Sequence, residues 1–240
     1  MDARLSRVMS LLAVSFAVCL WGCGGSRFGS ELPERRPSPR PFTKAPGEKL
    51  EIPAEQPFCI ALPKASRESG LGGTTKAEAN AVADGNASAL ASVNFSGKAD
   101  ASFQLGHSIE NQTKRQADFD VTVTLDYEYK ASANPPTPYA DAHVGLKLYA
   151  RNDRNTLLQD VALFDHSTEN GAVSSKSQNE SVSFTVTLAP GESVSIYLAG
   201  YVMVDIREER TASGTLSVSN ARMEITSRPA PAVKSADDEQ

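Results

Sequence analysis

Strict alternation of apolar and polar residues over positions 117–130 is the strongest constraint that this sequence places on its fold. The apolar side chains that share the odd positions are Phe119, Val121, Val123, Leu125, Tyr127 and Tyr129. Successive side chains of a β-strand point to opposite faces, so this period predicts a strand with one buried and one wet face. It does not fit an amphipathic helix, whose apolar residues recur every three or four positions.

The same period recurs along most of the chain. Clear alternating runs occupy 141–151, 181–188 and 193–206, and weaker ones occupy 87–95, 99–109 and 157–164. Sixteen glycines and fourteen prolines supply frequent turns. We therefore predict an all-β fold, an antiparallel β-sandwich or jelly roll of about eight to ten strands.

The last run changes phase. Leu216 and Val218 take even positions, whereas Met223 and Ile225 take odd ones. One extra residue near Ser219 or Asn220 would keep all four on the same face, so we predict a β-bulge there.

Residues 76–84 allow two interpretations. Their alanines favour a short helix by propensity. The alanines also alternate with polar residues and continue at the same parity beyond Asp84-Gly85, which is a hairpin signal. The alternation favours two strands joined at this turn.

The first 23 residues have the pattern of a targeting signal. Arg4 and Arg7 precede an apolar run at 8–20, which is too short to span a membrane and fits a secretory signal. The residues that follow, Leu20-Trp21-Gly22-Cys23, resemble the lipobox of bacterial lipoproteins. That resemblance implies cleavage before Cys23 and attachment of diacylglycerol to its thiol. The alternative is an ordinary signal peptide that is cut nearby, with Cys23 incidental.

Composition divides the remainder into three parts. Seven prolines in 24–57 predict that 23–57 is a disordered, semi-rigid tether after a signal peptide of residues 1–22. The alternating runs place the β-sandwich at 58–227. Two prolines and an acidic cluster predict a disordered tail at 228–240.

These features predict a membrane partner and a location. The lipid anchor would hold the chain in the cell envelope. By resemblance to enterobacterial lipoproteins, Gly24 in place of aspartate favours the outer membrane, and the periplasmic or surface side stays open. The formal net charge of −5 argues against sequence-independent nucleic-acid binding.

Catalytic and metal-binding patterns are absent from the sequence. It contains no Gly-x-Ser-x-Gly elbow, no His-Glu-x-x-His and no Cys-x-x-Cys. His107, His143 and His166 are widely spaced, and Cys59 lies in an apolar run typical of a buried cysteine. We therefore predict no enzyme, no cofactor and no metal site, and Cys23 is the one modification site.

Two functions remain open for the folded domain. The first is a structural or protein-interaction role with an envelope protein as partner, which a free strand edge would favour. The alternative is a glycan- or ligand-binding module, which exposed aromatic platforms would favour. The tyrosines available for such a platform are Tyr139, Tyr149, Tyr197 and Tyr201.

One polar strip could itself bind a ligand. It consists of Asp141, His143, Lys147, Tyr149 and Arg151, which share one face of a predicted strand. We predict that this strand forms an antiparallel hairpin with 117–130. Lys130 would then oppose Asp141, Glu128 would oppose His143, and Asp120 would oppose Arg151. The strip would be a solvated, self-paired surface rather than a binding site.

Overall fold

The computed structural model describes residues 38–134, 140–168 and 173–229, and every structural statement below refers to them. Within these ranges no helix has both the length and the apolar character needed to cross a membrane. The predicted signal peptide, Cys23, Tyr139 and the residues after Pro229 lie outside the described ranges.

Strands make up most of the described chain, which confirms the predicted all-β class. Their bounds are β1 (Arg40–Pro41), β2 (Lys49–Ile52), β3 (Ile60–Ser69), β4 (Thr74–Val82), β5 (Asn86–Glu110), β6 (Ala117–Asn134), β7 (Ala140–Asn152), β8 (Leu157–Ser167), β9 (Val173–Leu188) and β10 (Ser193–Pro229).

The hydrogen-bonded strands form two layers, because β5 and β10 are long enough to contribute to both. Sheet one has the order β3, the second half of β5, the first half of β10, β7 and β8. Sheet two has the order β4, the first half of β5, the second half of β10, β6 and β9, with β2 also beside β10. The pairings are antiparallel except that of β1, which runs parallel to β5.

The two sheets pack face to face as an antiparallel β-sandwich. A Cβ atom added to Gly214 in sheet two would lie 2.5 Å from Cγ1 of Val202 in sheet one. A Cβ added to Gly200 would lie 2.8 Å from Cδ2 of Leu216. Both glycines therefore allow the layers to approach closely, as is usual where glycine occupies a strand interior.

Each long strand changes layer at an irregular point. The pairing of β10 with β5 shifts between Ile206 and Arg210. On β5, Phe95 and Gly97 have φ angles of 81° and 135°, in the region that favours glycine. A Cβ on Gly97 would lie only 2.4 Å from the carbonyl oxygen of Glu68, so only glycine fits this corner.

The alternation over 117–130 is confirmed as a strand with one buried face. The odd positions of β6 are almost fully buried, whereas the even positions are partly or fully exposed. The large side chains with less than 2% exposure come from both sheets and include Phe103, Phe119, Leu125, Leu146, Ile196 and Leu216.

The predicted bulge in the last strand is also confirmed. The register of β10 against β6 shifts by one residue between Ser219 and Arg222. Asn220 has a φ angle of 54°, and Met223 and Ile225 are buried on the same side as Leu216. The extra residue therefore turns the side chains of Met223 and Ile225 toward the core, although they occupy odd positions and Leu216 an even one.

Residues 76–84 adopt the strand alternative. β4 and β5 form a hairpin in which Val82 opposes Asn86. The amide of Gly85 donates to the carbonyl of Val82 at 3.2 Å, and Gly85 has a φ angle of 101°. This is the three-residue turn with a left-handed glycine that the Asp84-Gly85 signal indicates.

Part of the predicted disordered tether is wrong. Residues 49–52 form β2, which pairs with β10, and Leu50 and Ile52 are 3% and 1% exposed. Phe42 packs edge-on against Phe119 with ring centroids 5.2 Å apart. These few apolar side chains bind the segment to the core despite its prolines, so the folded domain begins before the predicted boundary at 57. At the other end, β10 continues two residues past the predicted boundary.

The predicted hairpin between 117–130 and 141–151 is wrong. Both strands pair with β10, but at opposite ends: β7 lies beside 194–206 in sheet one, and β6 lies beside 211–229 in sheet two. The acidic face of β6 is instead hydrogen-bonded by β9. Thr185 Oγ1 donates to Asp120 at 2.6 Å, and Asn179 donates to Asp126 at 2.7 Å. The charge match between the two runs is therefore not realised, because each run pairs with a different half of β10.

Candidate functional site

The polar strip lies on the outer face of sheet one and takes its partners mainly from β8. Asp165 is the centre of these contacts. It accepts a hydrogen bond of 2.9 Å from the Tyr201 hydroxyl, contacts the Nε2 atom of His143, and lies 3.9 Å from the Nζ atom of Lys147. Its carboxylate is therefore shared among three neighbours of the same chain.

The pKa of Tyr201 is raised well above its usual value. Burial of the hydroxyl is the main cause, and the negative charge of Asp165 and its hydrogen bond add to it. A tyrosine in this state stays protonated at physiological pH. Its hydroxyl donates a hydrogen bond to Asp165 and thereby holds the carboxylate in place. This geometry favours a structural role for Tyr201 over nucleophilic chemistry.

The ends of the polar strip are also engaged within the domain. Asp141 accepts hydrogen bonds from Ser167 and Thr168 at 2.7 and 2.9 Å. Arg151 donates to Asn155 at 3.2 Å and lies over the Tyr149 ring at 5.4 Å, a cation–π contact. The strip is paired within the domain, but its partners are β8 and a turn rather than the predicted β6.

Tyr149, Tyr197 and Tyr201, here called the tyrosine cluster, are not an open platform for sugars. Their exposures are 4%, 2% and 4%, although they belong to the outer face of sheet one. The rings of Tyr149 and Tyr197 are 5.6 Å apart, and Ile60 packs with them. Stacking on a sugar needs an exposed ring face, which these side chains do not offer.

An open groove crosses the outer face of sheet two instead. It has a volume of about 330 Å³ and crosses four strands, β4, β5, β10 and β6. Its polar lining residues are Thr74, Thr75, Lys76, Ser92, Asn94, Ser132, Asn134, Thr211 and Ser213. We call this feature the serine groove. Its volume is within the range of small-ligand sites.

Strand register explains the shape of the serine groove. Ser92, Ser213 and Ser132 are directly opposed across three adjacent strands and form a floor of small, half-buried side chains. Ser132 and Ser213 hydrogen-bond each other at 3.0 Å. The next row along the strands carries exposed threonines and asparagines and forms one wall. A groove results because the floor residues are shorter than the wall residues.

Lys76 is the one charged side chain among the lining residues in the described ranges. Its Nζ atom lies 3.0 Å from Oε1 of Glu78, and both side chains are more than half exposed. A surface ion pair of this kind is weak, but it leaves the groove close to neutral.

The histidines and Cys59 do not converge on one site. His143 lies in the polar strip, and the His166 ring lies 6.2 Å from Tyr129. Cys59 accepts a hydrogen bond from the Ser108 amide at 3.2 Å, and partial burial raises the pKa of its thiol. Within the described ranges no three His, Cys, Asp or Glu side chains lie close enough to hold a metal ion.

His107 is a buried polar group in the interior of the sandwich. It is fully inaccessible, and neither ring nitrogen makes a hydrogen bond of normal geometry within the described chain. Burial lowers its pKa to about 4. The positive charge of Arg40 acts in the same direction, and the nearby Pro57 backbone opposes it slightly. His107 is therefore neutral at physiological pH.

No protein-family model matches this chain, and no curated protein matches it. Among solved structures, it is similar to a family 11 carbohydrate-binding module from Clostridium thermocellum. The identity is 9%, the match covers 75% of this chain and 96% of that chain, and the TM-score is 0.28.

Two further similarities involve parts of larger chains. The enzymatically active domain of a bacteriophage tailspike protein matches at 9% identity over 67% of this chain and 19% of that chain, with a TM-score of 0.26. The glycoside hydrolase domain of endo-D from Streptococcus pneumoniae matches at 12% identity over 69% and 21%, also with a TM-score of 0.26. This chain thus spans about a fifth of each. All three TM-scores are too low to assign a function to this chain.

Proposed function

We propose that this chain is a binding module that holds a neutral glycan in the serine groove. The observation that carries the proposal is the groove itself, an open depression on a sheet face in which most of the lining side chains carry hydroxyls or amides.

The chemistry of the lining matches that of a sugar. Each serine or threonine hydroxyl donates and accepts hydrogen bonds, and each asparagine amide presents both a donor and an acceptor. Neighbouring sugar hydroxyls have the same dual character. Asn94, Asn134 and Thr211 are exposed and make no side-chain hydrogen bond to the described chain, so they are available to a ligand.

The dimensions and the charge of the serine groove also suit a neutral glycan. Four adjacent strands span three spacings of about 4.8 Å each, or about 14 Å, which accommodates a short oligosaccharide. The only charge among the described lining residues, on Lys76, is offset by Glu78, so the groove does not select an anion strongly. Because none of the lining residues in the part of the chain that the structure describes is aromatic, hydrogen bonds rather than ring stacking would supply the affinity.

The proposal is tested by screening the protein against immobilised neutral and charged glycans. The affinity for each glycan that binds is then measured by calorimetry. Asn94→Ala removes from the wall of the groove an amide that could hydrogen-bond the glycan, and Ser213→Phe fills the floor of the groove with a large side chain. We expect about tenfold weaker binding from the first, equivalent to about 1.4 kcal/mol, and loss of binding from the second.

Two matched controls lie on the same face outside the groove. Asn80→Ala and Ser217→Phe change the same residue types on the outer face of sheet two, and both positions are exposed. They should leave the affinity unchanged. Equal losses from the control and groove variants, or no binding to any glycan, would contradict the proposal.

A protein partner is the second candidate function, and the edges of the sandwich favour it. β9 pairs with β6 in unbroken register over 176–188 and has no described strand on its other side. A regular free edge of this kind can recruit an extended segment of another chain by β-addition. Recovery of one defined envelope protein, abolished by a proline at an exposed β9 position such as Ser183, would support this role.

We further propose that the chain is anchored in the bacterial envelope through lipid on Cys23, with the outer membrane as its location. The support is the sequence alone: the cationic start, the short apolar run and the Gly-Cys motif. In this arrangement the anchor supplies membrane attachment and the β-sandwich supplies recognition.

A further inference from the structure

The edge strand β9 is held straight by side-chain hydrogen bonds to β6. Ser175 donates to Glu128 at 2.9 Å and Asn179 donates to Asp126 at 2.7 Å, both on the outer face of sheet two. β9 contains neither proline nor glycine. No described strand pairs with its other side, where alternate backbone amides and carbonyls point away from β6. This edge is therefore a preformed template for one more antiparallel strand.

Two opposite charges mark the other face of β9. Lys176 opposes Tyr129 and Glu180 opposes Leu125, so both side chains belong to the inner face of sheet two, at its rim. Lys176 is exposed and Glu180 is half-buried. Within the described part of the chain Lys176 makes no ion pair, and Glu180 accepts a hydrogen bond of 2.8 Å from Gln178. Neither charge is therefore neutralised by a described side chain of opposite sign.

The spacing of these charges makes the edge complementary to itself. If two copies of β9 run antiparallel and opposed residue numbers sum to 356, Lys176 of each copy lies opposite Glu180 of the other. Gln178 then lies opposite Gln178, and Ser177 lies opposite Asn179. Sliding one copy by two residues places both charges opposite uncharged residues, and sliding it by four places two like charges opposite each other. One register is therefore favoured over its neighbours.

The longer edge strands elsewhere in the described ranges lack this match. The pairing of β8 with β7 shifts register twice. β3 contains Pro63, whose backbone has no amide to donate. On β4, Lys76 and Glu78 already form an ion pair with each other. On β9 alone among these strands, the pairing of two copies creates ion pairs that a single copy lacks.

Charges on the inner side of an edge strand normally oppose edge-to-edge pairing, because an incoming strand must accommodate an unpaired charge. Lys176 and Glu180 have this effect on an unrelated strand. Against a second copy in the matched register, each charge meets its opposite, so the same two residues exclude other strands and select this one.

We propose that two copies of this chain associate through β9, in an antiparallel pairing centred on Gln178 that joins their second sheets edge to edge. The interface is the same patch on both copies, as in other twofold dimers. The regular part of the match is short, because the register of β9 against β6 shifts just before Lys176. The dimer therefore belongs to the weak, concentration-dependent class.

The dimer does not depend on the proposed glycan function, but it has a consequence that does. The twofold axis of an antiparallel strand pair is perpendicular to the sheet, so the outer faces of both copies point the same way. Both serine grooves then open on one surface. A glycan with repeated units, or a surface that carries many copies of it, can engage both grooves at once.

The test is sedimentation equilibrium without any glycan, from about 10 µM to about 1 mM protein. It uses the form that begins at Gly24, which keeps every strand of the sandwich. We expect the average mass of the wild type to rise toward twice the monomer mass. Lys176→Glu and Glu180→Lys should each stay monomeric, because each places like charges opposite each other at both ends of the match. An equimolar mixture of the two variants should dimerise again, since every charge then meets its opposite.

Lys114→Glu is the matched control, because it reverses an exposed lysine outside β9 and should leave the association unchanged. Urea unfolding of each variant checks that the fold is retained. If a single variant unfolds, the double variant Lys176→Glu/Glu180→Lys decides, since it should dimerise like the wild type. A wild type that stays monomeric over the whole range, single variants that dimerise as it does, or a mixture that stays monomeric would each overturn the proposal. None of these results bears on glycan binding, which is measured separately.

Discussion

Acid should destabilise this fold through His107, by an amount that the structure allows us to work out. The histidine titrates near 6.5 in the unfolded chain, whereas burial lowers its pKa to about 4 in the folded protein. Between these values the unfolded state binds a proton that the folded state does not. Folding stability therefore falls as the pH drops from about 6.5 to about 4.

The size of the effect follows from the difference of about 2.5 pH units. At 1.36 kcal/mol per unit, His107 alone removes about 3 kcal/mol of folding free energy below pH 4 and nothing above pH 7. This is a large fraction of the stability of an ordinary domain. Carboxylates such as Asp126, whose pKa is lowered by Asn179 and Asn220, add their own acid dependence.

A comparison with His107→Leu isolates the contribution of the histidine. Urea unfolding followed by circular dichroism should be measured from pH 8 to pH 4 on both proteins, in the form that begins at Gly24. The variant should retain the carboxylate dependence but lack the extra loss of about 3 kcal/mol. Parallel stability curves for the two proteins would refute the assignment of a neutral, buried His107.

Three further outcomes are expected. Met223→Ala should lower the free energy of unfolding by about 2–5 kcal/mol, because Met223 is buried. Arg222→Ala should lower it by less than about 0.5 kcal/mol, because Arg222 is exposed. Equal midpoints of urea unfolding for the two variants would contradict the bulge register. Gly97→Ala should cost about 1–3 kcal/mol more than Gly191→Ala. Both glycines have positive φ, but only Gly97 meets a backbone oxygen, so equal melting temperatures would be evidence against the corner geometry. Cys23→Ser should prevent signal cleavage and lipid attachment, and mass spectrometry that finds unmodified Cys23 in the wild-type protein would exclude the anchor.

Strand faces were predictable from sequence because side-chain direction in a strand has a period of two. The alternation on β6 and the phase change before Met223 both translate directly into burial. Strand partners were not predictable in the same way. The hairpin of 117–130 with 141–151 satisfied local charge and apolar matches, but β7 pairs with the first half of β10 in sheet one and β6 with the second half in sheet two.

The serine groove could not be recognised from sequence for a related reason. Its floor joins Ser92, Ser132 and Ser213, which lie far apart in the chain and are brought together only by register across β5, β10 and β6. Each serine taken alone is an ordinary polar position on the wet face of a strand. The one available signal was that several polar faces carry small hydroxyl side chains rather than charges.

The central claim, that the serine groove binds a glycan, is tested most directly by NMR titration of the isotope-labelled protein with the best glycan from the screen. Binding in the groove predicts that amide shifts concentrate at Ser92, Asn94, Thr211 and Ser213, with sheet one unaffected. Shifts concentrated on the polar strip of sheet one, or no saturable shifts with any glycan, would contradict it.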